Sequence, residues 1–229
     1  MRLAAIFFAA FVLPRRIRLV VPVALVGLLS LISSGCTLGT SVPISFDGFC
    51  GLSHEQFAAM DEKTFVEWIQ GKYGVSPSRR AERTENGKQV VPYEWTAGSI
   101  YGNAWFHDGR LAWLLLDDFP NGPTFGQTVG ELGPPEKLYR YSTGWENTVY
   151  SIVLEYPTLG FSVGNSGTLL GSVKEVTLSE NLRVNYTICY GPGSLEDVLR
   201  EVLLASPAHL KRLMDWPGFG VSVPLEPVP

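Results

Sequence analysis

Residues 90–116 read Val-Val-Pro-Tyr-Glu-Trp-Thr-Ala-Gly-Ser-Ile-Tyr-Gly-Asn-Ala-Trp-Phe-His-Asp-Gly-Arg-Leu-Ala-Trp-Leu-Leu-Leu, and the fold class turns on them. Three short runs, Val90 to Trp95, Ser99 to Phe106 and Arg110 to Leu116, are rich in β-branched and aromatic residues, which fit a pleated, half-buried surface. Asp108-Gly109 joins the last two. A two-residue type I′ turn needs positive φ at both central positions, which Asp and Gly tolerate, so the pair marks an antiparallel hairpin. A small antiparallel sheet is expected here.

Upstream, Ser53-His54-Glu55-Gln56 is a capping-box pattern that opens a short helix, because the Ser side chain and the N3 Gln satisfy each other's backbone donors. Asp61 or Thr64 opens a second helix with Phe65, Trp68 and Ile69 on one face, and Gly74 with Pro77 ends it. Ser76 to Lys88 reads as a polar loop. Downstream, Thr124-Phe125-x-Gln127 repeats the landmarks of Thr64-Phe65-x-Glu67. Ile69 and Val129 each fall four residues after the phenylalanine, and Gly74 and Gly133 each precede a proline. Strand-like runs follow at Leu138 to Ser142, Thr148 to Tyr156, Gly160 to Val163 and Lys174 to Leu178. The expectation is an α+β protein with one or two helix-plus-antiparallel-sheet units, 46–122 and 123–190; the alternative to duplication is two ordinary capped helices. Beyond Gly191-Pro192-Gly193, the box Ser194-Leu195-Glu196-Asp197 and the spacing of Leu195, Val198, Leu199, Val202 and Leu203 predict a helix. Ser206-Pro207 starts a further turn or two. Residues 191–229 thus read as C-terminal helices and a Pro-rich, extended tail.

The segment Thr124-Phe125-Gly126-Gln127-Thr128-Val129-Gly130-Glu131-Leu132-Gly133-Pro134-Pro135 resembles the turn, Gln-Val and Leu-Gly-x-Pro signature of the BamE (SmpA/OmlA) group of small periplasmic lipoproteins. Their fold is similar to each half of β-lactamase inhibitory protein. The resemblance implies a helix ending in Gly and Pro before a three-stranded antiparallel sheet, and it covers about a dozen residues. The chain departs from that group in its length, its apparent second copy and its C-terminal helices.

The N-terminus carries an address. Leu19 to Leu31 is free of charge, follows Arg15-Arg16-Ile17-Arg18 and leads into Ile32-Ser33-Ser34-Gly35-Cys36. The apolar run has the length of a signal-peptide core and falls short of the roughly 20 residues of a membrane span. The pattern resembles a bacterial lipoprotein signal, 1–35, with Cys36 lipidated and 36–45 as a tether. An ordinary secretory signal is the alternative, and the earlier apolar run Leu3 to Leu13 fits an extended n-region or a misassigned start. The resemblance implies palmitate-type acylation and an extracytoplasmic, membrane-anchored location in the bacterial cell envelope, inner or outer membrane unresolved.

Removing 1–35, which hold four arginines and no acid, would move the net charge from −4 to −8. That acidity argues against nucleic acid or an anionic lipid surface as a partner, both of which are bound through clustered Lys and Arg. The remaining cysteines, Cys50 and Cys189, are either a disulfide or two buried thiols. His54, His107 and His209 are isolated, so no metal signature is present, and no cofactor motif is found. Trp95, Tyr101, Trp105 and Trp113 either line a binding surface or fill the core between sheet and helix. Asp117-Asp118 at a strand end suits a hydrolase, or equally a solvated strand exit before the turn residues that follow. The expected function is a non-enzymatic binding or scaffold module working with another envelope protein. An inhibitor-like protein that binds an extracellular enzyme, or a cell-envelope hydrolase using Asp117/Asp118, is the alternative.

Overall fold

At Asp108-Gly109, φ is 49° and 78°, and the hairpin folds about this turn. The computed structural model describes residues 43–117, 119, 122–144, 147–202 and 210–227. Its strands are β1 (Ser78–Arg79), β2 (Arg83–Glu85), β3 (Lys88–Ala97), β4 (Ile100–His107), β5 (Arg110–Asp117), β6 (Lys137–Thr143), β7 (Asn147–Tyr156), β8 (Phe161–Leu170), β9 (Glu175–Thr177), β10 (Tyr186–Tyr190), β11 (Leu213–Met214) and β12 (Ser222–Pro224). The α-helices are short: α1 (Phe46–Cys50), α2 (His54–Ala59), α3 (Glu62–Tyr73), α4 (Phe125–Leu132) and α5 (Leu195–Asp197), the last running into a π-helical turn, Val198–Val202.

Ten of the strands form one antiparallel sheet in the order β1-β3-β4-β5-β10-β8-β7-β6-β11, with β2 also on β3. This corrects the expected α+β arrangement of two helix-plus-antiparallel-sheet units resembling the BamE and β-lactamase inhibitory protein folds. β10 inserts between β5 and β8, pairing Thr187 with Leu116 on one side and with Val163 on the other. The two meanders are thereby one continuous sheet, and the division expected at 122/123 falls inside it. The expected C-terminal helical segment is corrected too. Among the described residues its helical positions are α5, the π-turn and Leu210, and Leu213–Met214 is a strand. The turn placed at Ser206-Pro207 lies outside the described residues. Ser222–Pro224 of the Pro-rich tail pairs with β9 as a separate two-stranded sheet, and Val223 and Leu225 are buried in the core.

Side-chain alternation assigns the faces. Val91, Tyr93 and Trp95 pair with Phe106, Ala104 and Gly102, and these with Leu111, Leu114 and Leu116. That face meets the helices, and Phe49, Phe57, Phe65 and Ile69 join it in one core with Leu138, Leu154 and Phe161. A fully buried side chain of this size contributes roughly 1.5 to 3 kcal/mol. The helices are set by caps. Ser53 and Thr124 close full capping boxes with Gln56 and Gln127, Asp61 accepts from Thr64 N–H at 2.8 Å, and Gly74 ends α3 in the left-handed region. Cys50 and Cys189 form a disulfide with Cα atoms 5.9 Å apart, tying α1 to the central strand β10.

Candidate binding face

The opposite face of the sheet carries the residues left over by the same alternation. From β4 to β6 it presents Tyr101, Asn103 and Trp105, then Trp113, Leu115 and Asp117, then Tyr186, Ile188 and Tyr190. Beyond these come Ser162 and Gly164, then Ser151, Val153 and Glu155, and finally Tyr139 and Tyr141. This second face has an open half and a buried half. Over β4 and β5, Tyr101 is exposed and Trp105, Trp113 and Leu115 are half-buried, with Ile188 of β10 beside them. Over β8 and β7, Ser162, Ser151, Val153 and Glu155 are buried, as is Tyr190 of β10.

Trp95, Tyr101, Trp105 and Trp113 were expected either to line a binding surface or to fill the core, and the sheet divides them between its two faces. Trp95 is on the helix side, 4% exposed and edge-on to Phe65 at 5.6 Å between centroids. It belongs to the core rather than to a binding surface, and its indole Nε1 has no hydrogen-bond partner among the described residues. Trp105 and Trp113 are direct cross-strand partners, stacked at 4.8 Å, and Arg83 lies over Trp105 at 4.6 Å. Trp105 is thus packed by a ring and a guanidinium and is half-buried. Its Nε1 donates to Asn103 Oδ1 at 2.8 Å. Tyr101 sits across from Asp117, which faces Tyr186 on its other side. Asp117 is half-buried at the end of β5; Asp118 and Cys36 lie outside the described residues. Among the described residues no three His, Cys, Asp or Glu converge on a metal site, and no helix is long and apolar enough to cross a membrane.

The buried half holds polar groups that sequence reading missed. Ser162 Oγ donates to Glu155 Oε2, Tyr190 OH reaches the same oxygen at 3.3 Å, and the two hydroxyls are 2.6 Å apart. Ser151 Oγ and Tyr186 OH are bonded to each other. Burial pushes the Glu155 carboxyl above its ordinary value; the bonds from Ser162 and Tyr190 pull it down, and the Glu136 charge adds to the rise. Burial likewise raises the Tyr186 and Tyr190 phenols well out of the physiological range. The available signal was a lone acid inside the apolar run Ile152-Val153-Leu154-Glu155-Tyr156. Ser162 and Tyr190 gave none, because only tertiary pairing of β8 with β7 and β10 brings them to it.

No protein-family model matches the sequence, and no curated protein or solved structure is detectably similar to the chain.

Proposed function

We propose that this chain is a lipoprotein of the bacterial cell envelope, anchored through Cys36, that works outside the cytoplasm as a non-enzymatic binding module for another envelope protein. The observation that carries the binding part is the contiguous patch of half-buried Trp105, Trp113, Leu115 and Ile188 with exposed Tyr101 on the open half of the second face. Tyr, Trp and Arg dominate the energetics of protein interfaces, and such patches gain by shedding water. The Trp105–Trp113 stack is held rigid by its cross-strand register and by Arg83, so little side-chain entropy is lost on docking. The Cys50–Cys189 disulfide supports an oxidising compartment, where such bonds persist.

Two experiments test the two parts separately. Metabolic labelling with a fatty-acid analogue and membrane partition, wild type against Cys36→Ala, tests the anchor; unlabelled wild type removes it. Photo-crosslinkers placed at Tyr101 and Leu115, with Lys63 on the helix side as control, test the face. A partner trapped from the open face and absent from the control supports the binding module. Loss of the adduct in a Trp113→Ala variant of unchanged stability assigns the contact, and capture of a small-molecule product instead of a protein would overturn it.

A further inference from the structure

β8 keeps β7 beside it over its whole length, from Phe161 across from Tyr156 to Leu170 across from Asn147. On its other side β10 stops short, the last pair being Tyr186 with Gly164. Successive residues of an antiparallel strand aim their backbone groups to alternate sides, and the even-numbered residues of β8 aim theirs at the β10 side. There Gly164 C=O accepts from Asn185 N–H at 2.9 Å. At Ser166 a side chain takes over. The Asn185 carboxamide accepts from Ser166 N–H at 2.9 Å and donates to Ser166 C=O at 2.8 Å, as a peptide group of a neighbouring strand would. The chain itself leaves the lane here: Val184 is fully buried in the core, and Arg183 turns Nη1 to Gly122 O at 3.3 Å. Asn165 reaches it only by its side chain, Nδ2 to Arg183 O at 2.7 Å.

Beyond Asn185, Thr168 and Leu170 aim their backbone groups into the same lane by that alternation, and no described strand pairs with them there. Thr168 is exposed, and Leu170 on the same face is 88% exposed. Unpaired ladder positions of this kind are ordinarily guarded by charge, proline or a bulge. This stretch has none of the three. Residues 158–173 contain no charged side chain and no proline, and the pairing of β8 with β7 runs without a shift of register. The outer hairpin of β2 and β3 makes the contrast, with Arg83, Glu85 and Lys88 along it.

We propose that the β8 edge at residues 167–170 is a strand-addition site, which takes an extended, uncharged segment of another protein into the lane that β10 leaves empty. An extended backbone is the ligand that fits. Its N–H and C=O groups recur at the spacing of Thr168 and Leu170 and repeat what the Asn185 carboxamide does at Ser166. Four edge residues at about 3.4 Å each give a lane of roughly 14 Å, so the segment seats about four residues. Its side chains on the second face lie against Thr168 and Leu170, which favours β-branched or apolar residues over charged ones. A second copy of this chain does not fit as well, because pairing two such short edges covers far less than the roughly 800 Å² per partner of a standard stable interface. The edge is separate from the tryptophan patch and stands whether or not that patch binds a protein.

The probe is a capped peptide, Thr-Val-Thr-Val-Thr, titrated into the isotope-labelled full chain and followed by NMR, with the same peptide N-methylated throughout as control. With the peptide at about ten times its dissociation constant, hydrogen exchange of the Thr168 amide is expected to slow about tenfold. Amides of β3 stay unchanged, and the methylated peptide has no effect. Thr168→Pro removes the outward N–H without taking a ladder bond from β7 and is expected to abolish binding, while Thr168→Ala keeps it. Should Thr168→Pro fail to fold, the two peptides on wild type carry the same comparison. The site is overturned by a Thr168 amide that does not slow, by one already as protected as Val163 before peptide is added, or by equal slowing with both peptides. Resonance shifts confined to the Trp113 patch overturn it too. Sedimentation velocity covers the remaining occupant: a dimer of wild type that Thr168→Pro dissolves overturns the proposal in favour of self-pairing.

Discussion

Two glycines on opposite faces of the sheet are there because a ring lies against each. A Cβ on Gly102 would meet the Trp95 ring at 2.0 Å, and one on Gly164 would meet the Tyr186 ring at 2.1 Å. Both aromatics sit directly across from their glycine, so the ring folds down over the gap in the partner strand. Gly164→Ala should therefore lower stability by about 1 to 3 kcal/mol, the usual range for overpacking, and disturb the Tyr186–Ser151 bond; urea unfolding of the variant against wild type measures it. Glu155 makes a second prediction at this scale. Its folded pKa is raised by burial above the ordinary 4.5, so the native state holds the proton more tightly than the unfolded chain. That contribution to stability is fully present below the unfolded value and is lost as pH rises through the folded one. Wild type should become less stable from pH 4.5 upward relative to Glu155→Gln, and the difference between their unfolding midpoints, followed against pH, checks the sign.

At the scale of elements, local signals governed caps and turns well. The boxes at Ser53 and Thr124 form as written, and Asp108-Gly109 makes its hairpin. The segment Ser76 to Lys88 was expected as a loop, yet it contains a second hairpin. Asn86 and Gly87 take φ of 48° and 80° and join β2 to β3. Its flanking residues Glu85 and Lys88 are charged and half-buried, so the apolar alternation that marks a strand is absent, and the Asn-Gly turn chemistry was the available cue. β10 was missed for a different reason. Four of its five residues are buried, in a strand whose sheet neighbours lie far away in sequence, and pairing of that kind leaves no periodic trace. The Cys50–Cys189 bond fastens this strand to α1 across a separation of 139 residues, where loop-closure entropy gives about 4 to 5 kcal/mol. Replacing both cysteines with Ala should lower the thermal midpoint accordingly, read by calorimetry of oxidised wild type and the double variant.

For the whole molecule, the edges of the sheet are the exposed liability. One edge is blunted by the short strands β1 and β2 on β3, and the other by β11 and the tail, with Ser142 N–H donating to Glu226 O at 2.9 Å. Truncation after residue 219 would remove β12, take Val223 and Leu225 from the core and open the β6 edge around Ser142. The truncated protein is expected to self-associate at concentrations where the full chain does not, as sedimentation velocity would show; a monomeric, equally stable truncation would show that the tail does not guard the edge.

The sequence by itself determined what depends on neighbours along the chain: the antiparallel hairpin of residues 90–116 and the helix caps. It could not say that Trp95 turns inward while Trp105 and Trp113 turn outward to a partly open face, since alternation fixes relative faces and not which one meets the helices. Nor could it join the meanders into one sheet, or bring Ser162 and Tyr190 to Glu155. Only tertiary structure decided those, because they arise from strands paired across large sequence separations, where the favourable term is burial of a shared surface rather than any local propensity.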